Sequence, residues 1–320
     1  MRSKADRLHN VDWSKYIVYI AFVVVFIFFS FWLNDKGFLT SGNLLNITRQ
    51  TSMITIMAVG MTFVIGAAQI DLSIGSIAAL SSLVCALCLS ATGNIFLSLG
   101  AAILVGVAIG GASGWLVTKF GIPSFLVTLG MMGIVRGSAM WLTDTAAVPI
   151  SNETFSTIFG VGEVFGKIPV LLIWTAVFIV IGYLLLNKTP FGKKTLATGG
   201  NEIAAKFSGI NINRIKLAAL TMSGGLAAFA GVLYAARMQA GRYTFGEGDE
   251  MSAIAAVILG GTSLAGGTGS IIGALIGSLL MGMINNGLIL GGLSVSQQTI
   301  VRGVIIILAV ALSNISRKKK

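Results

Sequence analysis

Cysteine and histidine are almost absent from this chain, with two of the first and one of the second in 320 residues. Cys85 and Cys88 form a C-x-x-C inside the apolar run Leu83 to Leu89, and His9 is far away near the N-terminus. A zinc or dithiol centre needs more ligands, so no metal site is assigned and the pair reads as two small core residues on one helix face. Charge is scarce too. Charged residues make up 10% of the chain, against about 25% in a soluble domain, which excludes a soluble enzyme. No G-x₄-G-K-[S/T] phosphate loop occurs, because Gly192-Lys193 lacks the upstream glycine. The chain therefore cannot hydrolyse ATP itself, and no catalytic residue or directly bound cofactor is assigned.

What is present is apolar. Hydrophobic residues make 55% of the chain and 41 residues are glycine. Apolar stretches long enough to cross a hydrocarbon core of about 30 Å recur along it. They lie at roughly 16–33, 51–69, 74–91, 95–118, 122–143, 170–186, 215–236, 251–265, 270–291 and 299–314. The expectation is an all-α polytopic membrane protein of about ten transmembrane helices. The eighth stretch is short and ends in Gly260-Gly261 and Gly266-Gly267, which suits a tilted or re-entrant piece. The first is long enough to span and no small-residue cleavage site follows, so it does not read as a removable signal.

A net charge of +11 raises nucleic acid as a partner, but the basic residues cluster in short loops and tails, as topogenic charge does. No nucleic-acid partner is assigned. The tail 1–15, the loop 187–216 and the tail 315–320 are basic, whereas 144–169 and 237–250 are acidic. Ten spans put every basic segment, and so both termini, in the cytoplasm and both acidic loops outside. Residues 16–314 form one membrane domain that includes the cytoplasmic loop 187–214.

Glycine spacing bears on packing. Gly106, Gly110 and Gly114 stand four apart on the fourth span, and Gly269, Gly273 and Gly277 run into the ninth. Such rows make a groove that lets a neighbouring backbone approach closely. Val64-Ile65-Gly66 with Gly75-Ser76-Ile77 matches Ile258-Leu259-Gly260 with Gly269-Ser270-Ile271 at a constant offset. A duplicated transporter core would leave this echo, and so would chance between Gly-rich apolar strings.

Few polar residues fall within the spans, and each has two readings. Gln69 and Asp71 lie between the second and third spans, where Asp71 either caps the third helix or faces a polar pathway. Arg136, inside the fifth, either ties helices together through carbonyls or lines that pathway. Asn285 and Asn286, in the ninth, are either interhelical hydrogen bonds or pathway amides. A neutral, hydroxyl-rich solute would need amides and hydroxyls rather than one strong charge.

The most specific segment is the loop Phe191 to Asn211. Asn201 is suited to N-cap a short helix, Glu202 to its first turn and Gly209 to its end. Ile203, Ala204 and Phe207 share a face, so the helix lies along the membrane with an apolar side free for docking. The alternative is a helix resting on lipid headgroups.

At this segment the chain resembles the permease of bacterial ATP-binding-cassette importers of the ribose/galactose/xylose/arabinose type. Ala58 to Thr62 with Gln69 to Ser76, Ala197 to Ala205 with Ser208 to Ile210, and Ala255 to Gly267 carry the resemblance, which runs over about residues 37–315. It implies a multi-pass protein of the bacterial inner membrane that moves a ribose-like sugar by alternating access. It implies an ATPase with two nucleotide-binding halves, holding ATP and magnesium, and an extracytoplasmic sugar-binding protein. A second permease subunit, identical or paralogous, completes the set with the lipid bilayer. Gly199, Gly200, Asn201, Glu202, Ala204, Ala205, Ser208 and Gly209 would form the segment that meets the ATPase. Another cargo, such as a nucleoside, a branched-chain amino acid or a furanone signal, remains open. An ion-coupled carrier would want midplane carboxylates, and Asp71 is the one candidate.

Overall fold

The computed structural model describes residues 17–318. The tail 1–15 and the terminal Lys319 and Lys320, with their topogenic charges, lie outside the described residues. The chain begins with α1 (Ile17–Trp32), α2 (Ser41–Gly66), α3 (Ile74–Thr92), α4 (Ile95–Phe120) and α5 (Ser124–Leu142). A connection with β1 (Val148–Pro149), α6 (Glu153–Ser156), β2 (Glu163–Val164) and β3 (Ile168–Pro169) leads to α7 (Val170–Lys188). Then follow α8 (Pro190–Gly200), α9 (Glu202–Phe207), α10 (Ile212–Met238) and β4 (Ala240–Gly241). The chain ends with α11 (Asp249–Leu259), α12 (Ile271–Leu290) and α13 (Val295–Lys318).

Helices α3, α4, α5, α7, α10 and α12 are long and apolar enough to cross a membrane. With α1, α2, α11 and α13 they make ten membrane segments among the described residues. Side chains set several starts: Asn94 accepts from the Leu97 N–H, Asn211 from Arg214 and Ser270 from Gly273. Gly93 and Gly121, both at positive φ, close α3 and α4.

The eighth segment, read as short and suited to a tilted or re-entrant piece, is α11, whose 11 residues reach only about 16 Å and cannot cross alone. Two expectations are corrected. Within the basic loop, 190–200 is the helix α8, because the Thr189 hydroxyl accepts from Gly192 and Pro190 sits in the first turn. The last helix continues through 315–318, where a separate tail is expected.

Helix α10 is central and packs against α4, α3 and α2. A Cβ at Gly106 or Gly110 of α4 would strike the carbonyls of Gly224 or Leu220. At Gly114 it would lie 2.9 Å from Leu217. Gly273 and Gly277 of α12 lie as closely on the backbone of Gly260 and Ala256, and Gly269 faces Thr62. The two echoed segments fold alike: each is a helix end, an irregular stretch and a helix start, with glycines at the helix ends in the first and in the irregular stretch of the second. Their turns meet where the Gly267 N–H donates to the Gly66 carbonyl at 3.1 Å.

The β1–β4 and β2–β3 pairs mark one end of the bundle, with the turn after α1 and the α12–α13 turn. The opposite end carries α8, α9 and the turns after α2, α4 and α11. These are called the strand face and the α9 face below.

Candidate functional site

On the α9 face the Asn201 carboxamide accepts from the Ala204 N–H at 3.0 Å and starts α9. Gly209 (φ 77°) ends it, and the Ile210 N–H closes on the Ala205 carbonyl at 3.1 Å. Glu202 and Lys216 form an ion pair at 2.9 Å that fastens α9 to α10. Ala205 faces inward, while Ile203 is 71% and Phe207 89% exposed. Of the residues expected to meet an ATPase, Asn201, Glu202, Ala204, Ser208 and Gly209 are exposed with them. Gly199 instead is buried, wedged between the Gly66 carbonyl, Ala68 and Gly267, with Gly200 on the edge of the same contact. A cavity of about 450 Å³ beside α9 is lined by Gln69, Pro123, Glu202, Asn213 and Lys216.

Between α2 and α3 the chain is not helical, and it is buried. The Ile70 and Leu72 N–H groups donate to the hydroxyls of Ser124 and Thr128 on α5, at 3.0 and 3.1 Å. Irregular backbone at membrane depth needs such partners. Asp71 is fully buried; it accepts from the Ser73 N–H (3.0 Å), the Ser73 hydroxyl (2.6 Å) and the Ser223 hydroxyl of α10 (2.8 Å). These bonds close a turn just ahead of α3 and pin the strip to the central helix; no side chain bonds the first N–H groups of α3 itself.

Nearer the strand face, residues 242–248 form a strap that dips into the bundle. Gly246 (φ 68°) lies backbone against backbone on Gly75 in the first turn of α3. Arg136 holds the strap from α5, donating to the carbonyls of Tyr243 and, at 3.0 Å, Phe245. Phe245 stacks on Tyr234 with ring centroids 5.5 Å apart. The dip carries Asp249 and Glu250 into the interior as the buried first turn of α11. The sequence reading places them in an exposed acidic loop, and this is a correction.

Beside that turn lies a cavity of about 210 Å³, lined by α2, α10, α11, α12 and α13. Its polar lining includes Gln50, Tyr234, Arg237, Asp249, Asn285 and Arg302. The Tyr234 hydroxyl donates to Asp249 at 2.6 Å, and Arg302 reaches the Asn285 carbonyl at 3.5 Å. Met53, Ile54 and Met281 supply its apolar wall.

The five residues read as pathway candidates are not brought together. Gln69 is in the α9-face cavity, Asp71 is inside the helix packing, Arg136 on α5 clamps the strap and Asn285 is in the smaller cavity. Asn286 exchanges paired hydrogen bonds with Asn43 of α2 at 3.1 and 2.9 Å. Sequence reasoning did not collect Gln50, Tyr234, Arg237 and Asp249. The available signal was Tyr234 and Arg237 three apart, and so on one face of a helix end.

The family described as branched-chain amino acid transport system / permease component matches residues 43–310. The ribose import permease protein RbsC of Escherichia coli (strain K12) is 44% identical over 88% of this chain and 88% of its own. The L-arabinose ABC transporter permease protein AraH of Azospirillum brasilense is 36% identical over 94% of this chain and 88% of its own. The xylose transport system permease protein XylH of Haemophilus influenzae (strain ATCC 51907 / DSM 11121 / KW20 / Rd) is 33% identical over 98% and 99%. No solved structure matches the chain.

Proposed function

The chain belongs to the branched-chain amino acid transport system / permease component family, and from that premise we propose that it is the membrane-spanning subunit of an ATP-driven importer for a ribose-like monosaccharide. The observation that carries the reading is the 44% identity with a ribose import permease across 88% of both chains. Relatives named for L-arabinose and xylose support a sugar over the amino acid in the family's description. The α9 face is cytoplasmic, in keeping with its basic loop, and the strand face is external. A separate ATPase grips the exposed Ile203 and Phe207, binding protein delivers sugar to the strand face, and two permease subunits form the complex. ATP on the partner is the ligand that distinguishes the outward-open and inward-open states.

The test is reconstitution of this chain with its ATPase and binding protein in liposomes. Labelled D-ribose, L-arabinose or D-xylose should accumulate uphill, only with ATP on the α9 side, and with an uncoupler present. Accumulation by the chain alone on an ion gradient would overturn the reading, as would uptake of leucine without any of the sugars.

A further inference from the structure

The smaller cavity has the composition of a binding site rather than of a packing defect. Gaps in an apolar core are lined by apolar atoms; this one has a carboxylate, two guanidinium groups, two amides and a phenol. Asp249 is 9% exposed, lines the cavity, and has one side-chain partner, Tyr234, on one of its two carboxylate oxygens. Among the described residues the Gln50 amide and the Asn285 amide nitrogen make no side-chain hydrogen bond, although both line the space. Gln50 and Asn285 are half-buried, and several polar groups that converge on one cavity with free hydrogen-bonding capacity suit a guest that satisfies them.

Depth bears on the guest. Gln50 lies nine residues in from the start of α2, Asn285 five from the end of α12, and Arg302 seven in from the start of α13. At 1.5 Å per residue the site is roughly 7–14 Å below the helix ends on the strand face. That is inside the hydrocarbon zone, in the half nearer the strand face.

Charge bears on it as well. An anion would meet Asp249, and a cation would meet Arg237 and Arg302. A neutral solute with several hydroxyls meets neither penalty. It donates to Asp249 and Gln50, accepts from Arg302 and Asn285, and lays its C–H face on Met53 and Met281. We propose that this cavity is a way station for one neutral, hydroxyl-rich solute within each protomer, read by Gln50, Asp249, Asn285 and Arg302. The identity of that solute as a monosaccharide rests on the function proposed above.

The experiment uses the assembled transporter. If the wild type moves none of D-ribose, L-arabinose and D-xylose, the parent reading fails before any variant is made. If it moves one of them, Gln50→Leu and Asn285→Ala are compared for sugar uptake and for ATPase activity stimulated by loaded binding protein. Each variant should lower uptake about tenfold, one lost hydrogen bond's worth, while stimulated ATPase stays within about twofold, far less than that loss. A second readout places Asn285→Cys in a Cys85→Ala, Cys88→Ala background and follows its labelling by a small hydrophilic thiol reagent. The transported sugar should slow labelling and leucine should not. Unchanged uptake in both variants overturns the proposal, as does a fall in uptake that ATPase activity follows in parallel. Protection by leucine but not by sugar overturns the ligand class. Should either uptake variant fail to assemble, the other and the labelling result decide.

Discussion

An amide pair inside a membrane bundle is nearly neutral while both partners are present and costly once one is removed. Asn43 and Asn286 form such a pair, joining α2 to α12 through two hydrogen bonds. Asn286→Leu strands the Asn43 amide oxygen, while its nitrogen keeps the Phe38 carbonyl at 2.9 Å, so the single change should cost on the order of 1–2 kcal/mol. The double change Asn43→Leu with Asn286→Leu should recover much of that loss. Thermal denaturation of the detergent-solubilised protein measures both, and a single variant as stable as the wild type would show that the pair contributes nothing. Asn285, its neighbour in sequence, faces the cavity instead. The dipeptide reads as one polar patch in the sequence, but neighbours on a helix point about 100° apart, and only the packing of α2 decides which of the two it meets.

Elements impose their own arithmetic. On α4, Gly106, Gly110 and Gly114 receive α10 so closely that a Cβ at Gly110 would enter the Leu220 carbonyl. Gly110→Val must therefore push the two helices apart, at a cost of about 3 kcal/mol or more. The yield of monodisperse protein should collapse; a normal yield with an unchanged melting midpoint would refute the packing. The row was legible because a four-residue period is a local property of the sequence. On α9, Ile203 and Phe207 are the apolar groups left for a partner, and substitution there touches little of the protein itself. Phe207→Ala should weaken retention of the ATPase by about 2 kcal/mol, roughly thirtyfold, with the permease still inserted and stable. Equal co-purification of the ATPase would remove α9 from the interface. The cap, first turn and stop of α9 were likewise local signals. Helix α8 was missed although Thr189-Pro190 announces it, because the reading placed a helix only over Asn201 to Gly209 and left 190–200, with its Lys193, Lys194 and three glycines, as loop. The strip 67–73 was read in part as the end of the second span, and the strap 242–248 as part of an outward loop. Their depth depends on hydroxyls of α5 and on the carbonyl clamp of Arg136, which are remote in sequence.

At the scale of the molecule, the α9 face and the smaller cavity are joined by one short rod. Helix α11 runs from Asp249, in the cavity wall, to Leu259, and the glycine turn that follows touches Gly199 just ahead of α9. The cavity was illegible in the sequence because its lining comes from five helices, each giving one or two polar residues with no common period. Gly199, just ahead of α9, meets both echoed turns, at Gly66 and at Gly267. Were α9 displaced, that contact and the short helix α11 would form a route from it to Asp249. Gly199→Ala adds a Cβ where the Gly66 carbonyl and the Ala68 and Gly267 nitrogens leave no room, the last two at 2.9 Å. The exposed faces of Ile203 and Phe207 are untouched, so the ATPase should still bind. What should change is transmission: sugar moved per ATP hydrolysed should fall about tenfold or more, the equivalent of roughly 1.4 kcal/mol of lost coupling. A variant that binds its ATPase and transports with wild-type stoichiometry would mean that α9 acts through α10 and the Glu202–Lys216 pair alone. Lys216→Ala in the same assay separates those routes, since it releases α9 from α10 and leaves the Gly199 contact in place.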